Sequence, residues 1–382
     1  MKVSDLVQAS RRLTVLMLAA LVVAACGAPA ASAPTAAPGA APGAAPGAAK
    51  KVKVGFLYVG PVDDYGYNYA AEQGRQYMQK ALGDKVETVF AENVPEDANA
   101  ERVMEQMIKD GATLIFPTSY GHYGPAVNVS KKHPDVTFLH QGGLEPSEHV
   151  SSYFGEIWQM VYATGVAAGK MTKTNKLGYI VAFPIPQTLL NVNAFELGAK
   201  SVNPNATTTV VFTANWCDPA KNSEAANSLV DQGIDVLTQH QDCPKPVIEV
   251  AEKRGVMSVG YHADASTVAP KGWITAAIWN WGPLYTKMAQ AVLDGTWKTQ
   301  LVRYGVKDDV VTLAAFGASV PKDVQGQVLK VKADIIAGTL KPFKGPIKDQ
   351  DGAVKIDGDQ PDTVTLEKTD YLVEGVVGTI PK

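Results

Sequence analysis

From residue 52 onward the chain alternates short, predominantly apolar runs with longer stretches whose apolar positions recur every three to four residues. The first half predicts strands at 52–59, 86–90, 113–116 and 136–139, and helices at 68–82, 98–110 and 126–132. In the second of these helices Val103, Met104, Met107 and Ile108 share one face, and Gly111 ends it. The rhythm restarts after Tyr153, with helices at 158–171, 192–202, 220–232 and 246–253 and strands at 177–182, 208–213, 236–239 and 256–261. A strand at 274–278 and helices at 284–293 and 322–337 follow, as if the chain returned to both halves. Strands that are apolar throughout, separated by amphipathic helices, belong in parallel sheets covered on both faces. The expected fold class is therefore α/β, with two doubly wound parallel-sheet lobes.

The N-terminal region follows another pattern. Arg11 and Arg12 precede an apolar run over 13–25, too short for a spanning helix, which stops at Cys26. Val23-Ala24-Ala25-Cys26-Gly27 resembles the lipobox of bacterial lipoproteins, which implies a signal peptide over 1–25 and an acylated Cys26 as mature N-terminus. Residues 26–49 are almost entirely Ala, Pro and Gly, have no side chains with which to build a core, and read as a tether. The rest is long enough for two lobes, expected over 50–142 with 279–300 and over 143–278 with 301–382. A net charge of −3 offers no basic field for nucleic acid. Cys217 and Cys243 each follow a predicted strand of one lobe, and stand either as buried thiols or as a disulfide, depending on whether their α-carbons lie within roughly 7 Å.

Open parallel sheets bind ligands beyond the carboxyl ends of their strands, so the residues there carry the candidate chemistry. They are rich in aromatic and polar groups: Asp64-Tyr65-Gly66-Tyr67-Asn68, Ser119-Tyr120, Asn215-Trp216-Cys217-Asp218, His240-Gln241-Asp242, Tyr261-His262-Ala263-Asp264 and Trp279-Asn280-Trp281. Rings above and below a site, with Asn and Asp at its edge, suit a flat heteroaromatic ligand. Gly165-Val166-Ala167-Ala168-Gly169-Lys170 superficially looks like a phosphate-binding loop, but its glycines are too close and Met171 replaces the required hydroxyl, so it reads as helix. No nucleophile elbow, zinc-protease or dinucleotide motif occurs, and the six histidines never take helical metal-ligand spacing. A site drawing His140, His240 and His262 from different segments is the one metal arrangement left to consider.

The segments Val54-Gly55-Phe56-Leu57, Asp64-Tyr65-Gly66-Tyr67-Asn68, Phe154-Gly155-Glu156, Asn215-Trp216-Cys217-Asp218-Pro219 and Val259-Gly260-Tyr261 together resemble the basic membrane protein family of ABC-transporter substrate-binding lipoproteins, which includes purine nucleoside receptors. The resemblance implies a type I periplasmic-binding fold with a three-crossover hinge, and a purine held between one aromatic from each lobe. On this resemblance Tyr67 and Trp216 take the stacking positions, with Asn68 beside the first, and Asp264 or His262 takes the position that grips ribose. Trp279 stands where the nucleoside receptors have a lysine, which points to a free, adenine-like nucleobase. The expected ligand-binding residues are Tyr67, Asn68, Ser119, Tyr120, Trp216, Asp242, Asp264 and Trp279, with no catalytic residue, cofactor or metal. The implied partners are a permease and its ATPase, with the lipid holding the protein at the outer face of the cytoplasmic membrane or in the periplasm. A nucleoside receptor and a sensing lipoprotein not coupled to transport are the alternatives.

Overall fold

The structure, a computed structural model, describes residues 51–381 except Leu144. The expected signal peptide, acylated Cys26 and tether lie outside the described residues. The first sheet is built from β1 (Val52–Leu57), β2 (Val86–Ala91), β3 (Ala112–Pro117), β4 (Thr137–Gln141) and β5 (Val150–Gly155), interleaved with α1 (Tyr67–Leu82), α2 (Ala98–Lys109) and α3 (Tyr123–Ser130). The chain continues through α4 (Trp158–Met171), β6 (Lys176–Val181), α5 (Pro186–Lys200), β7 (Thr207–Phe212), α6 (Pro219–Asp231), β8 (Val236–His240), α7 (Lys245–Arg254), β9 (Met257–His262) and β10 (Trp273–Trp279). It returns to the first lobe as α8 (Trp281–Leu293) and β11 (Leu301–Tyr304), then ends in the second with β12 (Val311–Leu313), α9 (Lys322–Ile336) and a C-terminal segment.

The first sheet has the order β11-β5-β4-β3-β1-β2 and is parallel throughout. The second runs β12-β10-β9-β8-β6-β7, extended by the short strand Val376–Val377, with β12 the antiparallel member. Both lobes are thus doubly wound, as the apolar strands require: Val54, Phe56 and Leu57 of β1 are wholly buried. Phe56 stacks on Phe116 at 4.5 Å, and Tyr285 of α8 packs against both, fixing the returning helix to the first lobe.

The lobe boundaries differ from those expected. β5 and β11 pair with each other in the first sheet, so residues 150–155 and 301–304 belong to the first lobe and not to the second. The chain passes between lobes at 156–157, at Asn280 and at 305–310, which makes three crossings. Gly165 and Gly169 lie inside α4, where they serve packing: a Cβ on Gly165 would sit 2.1 Å from the Phe195 carbonyl oxygen of α5. Among the described residues no helix is long and apolar enough to cross a membrane.

A ligand cavity between the lobes

The carboxyl ends of both sheets face one cavity of about 620 Å³, a size that takes a small molecule. Its first-lobe wall comes from the β1–α1 loop with Asp64, Tyr67 and Asn68, from Glu96 after β2, and from Ser119 and Tyr120 after β3. The second-lobe wall comes from Phe183 after β6, Trp216 after β7, His240 and Asp242 at β8, Tyr261 and His262 on β9, and Trp279 ending β10. Tyr65, Ala214 and His262, at three of these strand ends, hold left-handed φ angles of 61°, 54° and 78°. Such angles in non-glycine residues concentrate where a chain is bent to aim side chains into a site.

The lobes are closed on each other through the backbone of Asp242. Its N–H donates to the Trp216 carbonyl at 2.8 Å, and its carbonyl accepts the N–H of Tyr67 across the cleft at 3.3 Å. One peptide thereby links the two aromatic residues singled out as stacking partners. Tyr65 and Thr267 hydroxyls meet at 3.2 Å, and Arg303 of β11 binds the Glu367 carboxylate of the C-terminal segment at 2.7 Å, adding two further contacts between lobes. The disulfide Cys217–Cys243, with α-carbons 5.1 Å apart, ties together the residues next to Trp216 and Asp242. Closing a loop across a sequence separation of 26 residues stabilises the fold by about 3.5 kcal/mol against the unfolded chain.

Trp279 is stacked on Trp281 at 4.7 Å and its indole N–H donates to His262 Nδ1 at 2.9 Å. An indole N–H only donates, so Nδ1 carries no proton and His262 is neutral, with its hydrogen on Nε2. Burial and the neighbouring His240 hold the His262 pKa well below the ordinary histidine value, in agreement with this tautomer. His240, next to Asn191, is lowered by burial to about 3. Neither imidazole therefore carries charge at neutral pH. Burial raises Asp64 to about 6, against the pull of the Gly66 N–H that its carboxylate accepts at 2.8 Å. Burial, helped by the charges of Asp64 and Glu96, pushes Asp242 up to about 8.

Of the eight expected site residues, seven line the cavity: Tyr67, Asn68, Ser119, Tyr120, Trp216, Asp242 and Trp279. Asp264 does not. It is exposed, and its carboxylate accepts the backbone N–H of Ser266. The left-handed turn at His262 ends the strand, so His262 takes the wall and Asp264, two residues on, points out of it. Ser119 is engaged by the Glu96 carboxylate, and Tyr120 is 61% exposed at the rim. His140 is occupied by the Ser119 carbonyl at 2.9 Å, apart from the other two histidines. Glu96, Phe183, Arg303 and Glu367 were not among the expected residues. Glu96 and Phe183 follow β2 and β6 and the strand-end rule reaches them, whereas Arg303 and Glu367 lie on short elements without periodic signal.

Residues 51–342 match the family described as ABC transporter substrate-binding protein, PnrA-like. The chain belongs to this family. It is 42% identical over 334 residues to a purine-binding protein of Brucella abortus, covering 87% of this chain and 95% of that one. It is also 32% identical over 330 residues to a putative ABC transporter glucose-binding protein of Haloferax volcanii, covering 86% and 81% of the two chains. Among solved structures, a solute-binding protein of an ABC transporter system from Conexibacter woesei superimposes with a TM-score of 0.65 at 23% identity, covering 76% of this chain and 98% of the other. The two lobes and three crossings are those of a type I periplasmic-binding fold. The PnrA-like family consists of substrate-binding proteins, which hand a small molecule to a permease and ATPase from the extracytoplasmic side.

Proposed function

We propose that the protein is a lipid-anchored receptor, held by acylated Cys26 and the Ala/Pro/Gly-rich segment that follows it, that delivers a purine nucleobase to an ABC importer. The observation that carries this reading is the Asp242 peptide, which joins Trp216 of one lobe to Tyr67 of the other beside a carboxyl group that makes no hydrogen bond among the described residues. Two rings and one polar edge are what a flat heterocycle requires. The identity to a purine-binding relative points the same way.

A base is favoured over a nucleoside by Trp279. Its bulk fills this wall and its N–H is engaged by His262, so the indole offers a sugar no donor; Arg303 is paired with Glu367 and the Gly143 carbonyl through Nε and Nη2, and among the described residues its Nη1 and His262 Nε2 are left without a partner. A nucleoside is the second reading because of the cavity's size. At roughly 30 Å³ per water-sized group, a ten-atom base accounts for roughly 300 Å³, about half of the 620 Å³ available.

Calorimetric titration of ligand-stripped protein with adenine and adenosine separates the two. The base is expected to bind at least about tenfold more tightly, a difference of about 1.4 kcal/mol, and Trp279→Ala is expected to narrow the gap by opening sugar space. Tighter binding of adenosine to the unaltered protein would make it a nucleoside receptor.

A further inference from the structure

The charges around the cavity do not balance. Asp64, Glu96 and Asp242 all line it, and Arg303 is paired with Glu367. His240 and His262 are held neutral by their partners and by burial. Two of the three carboxylates have protein partners: Asp64 accepts the Gly66 N–H, and Glu96 accepts the Ser119 hydroxyl and the Gly121 N–H at 2.8 Å. Among the described residues the Asp242 side chain has none, although its backbone is fixed at both ends. Asn68, 1% exposed, lines the same cavity, its Oδ1 without a partner among the described residues. Two buried donors of the same cavity, His262 Nε2 and Arg303 Nη1, are also without a partner among the described residues, so the wall suits a ligand that donates toward Asp242 and Asn68 and also carries acceptors.

We propose that Asp242 selects heterocycles with an amidine edge, a ring nitrogen beside an exocyclic amine, and that it binds this edge in its protonated form. This inference rests on the purine reading and narrows it to aminopurines of the adenine type. The acid O–H donates to the ring nitrogen, and the acid carbonyl accepts one amine N–H. The second amine hydrogen and the positive end of the amine dipole face the negative field of Asp64 and Glu96. A lactam edge, as in hypoxanthine, turns a carbonyl oxygen toward those same carboxylates and is repelled. The donor–donor edge of guanine requires Asp242 ionised beside two other acids with no free cation to offset it. The titratable groups that face Asp242 are Asp64 and Glu96 from two loops of the first lobe, Tyr67 of α1, His240 of β8, and Tyr261 and His262 of β9. None of them supplies a positive charge.

With the lobes closed as described, burial and the facing Asp64 and Glu96 push Asp242 up to about 8, so binding of the protonated form proceeds without proton exchange below that pH and takes up one proton from solvent above it. Affinity is therefore full below pH 8 and falls about tenfold per pH unit above it, up to the pKa of the bound acid.

The experiment is calorimetry of the stripped protein with adenine, hypoxanthine and guanine at pH 6.5 and pH 9, each in two buffers of different ionisation enthalpy. The expected result is adenine at least about tenfold tighter than either oxopurine, with close to one proton taken up at pH 9 and none at pH 6.5. Asp242→Asn, which keeps a donor and an acceptor but does not titrate, is expected to abolish the proton uptake and flatten the pH profile while circular dichroism shows it folded. Equal binding of hypoxanthine, tighter binding of guanine, or adenine binding without proton uptake at pH 9 would overturn this inference and leave the purine reading standing. Silence toward all three bases would overturn both.

Discussion

Replacing Gly66 by alanine is expected to leave the protein folded and to weaken ligand binding about 100-fold. Gly66 precedes α1 with φ −98°, an angle open to any residue, so the substitution asks for no new backbone conformation. What glycine provides is clearance. A Cβ at this position would lie 1.6 Å from the Asp242 carbonyl oxygen, which belongs to the opposite lobe. Neither side is the end of a flexible side chain, so the lobes have to stay apart. Overpacking of this kind costs about 1–3 kcal/mol, and a clash with backbone belongs at the upper end, which corresponds to about two powers of ten in apparent affinity. Gly66 and Asp242 lie outside the hydrophobic core, so the melting temperature without ligand should not move, while calorimetry should show the loss. Wild-type affinity in Gly66→Ala would mean that the contact between Tyr67 and Asp242 is not part of the bound state.

The second large effect is expected at Trp216. Base-on-aromatic stacking contributes about 1–3 kcal/mol when removed by alanine substitution, so Trp216→Ala should weaken binding roughly 5- to 150-fold. Trp216→Phe should recover most of this, because a ring is retained against Phe183, whose centroid lies 5.4 Å away in a T-shaped contact. Titration followed by tryptophan fluorescence with the two variants gives the comparison. Equal losses in both would assign Trp216 to packing and not to the ligand.

The parts of the molecule that were legible in sequence share one physical cause. Strands such as β1 and β6, buried over most of their length, leave predominantly apolar runs, and surface helices such as α2 leave a clear stripe. β5 was not legible, because Ser151 and Ser152 interrupt it. Both are buried, Ser151 accepting the indole N–H of Trp297 at 3.0 Å and Ser152 donating to the His140 carbonyl. Missing that strand displaced the first lobe boundary, and the four-residue β11, which carries Arg303, displaced the second. α5 begins at Pro186, before its expected start, because its buried polar residue Asn191 hides the apolar periodicity while binding Tyr261 and His240.

The site followed the same logic. Aromatics directly after strands, Tyr67 and Trp216, are placed by local chain geometry, which the strand-end rule captures. The Arg303–Glu367 pair depends on how a C-terminal segment folds back over the second lobe, and no local pattern encodes that. Asp264 was lost to a single backbone angle at His262.

A crystal structure of the protein with adenine tests the central claim most directly. The expected result is a flat bicyclic ring between Tyr67 and Trp216, with one edge about 3 Å from the Asp242 carboxyl and the lobes closed through the Tyr67 N–H. A ring seated away from these two aromatics, or a cavity that takes a sugar in preference to the base, would contradict the account.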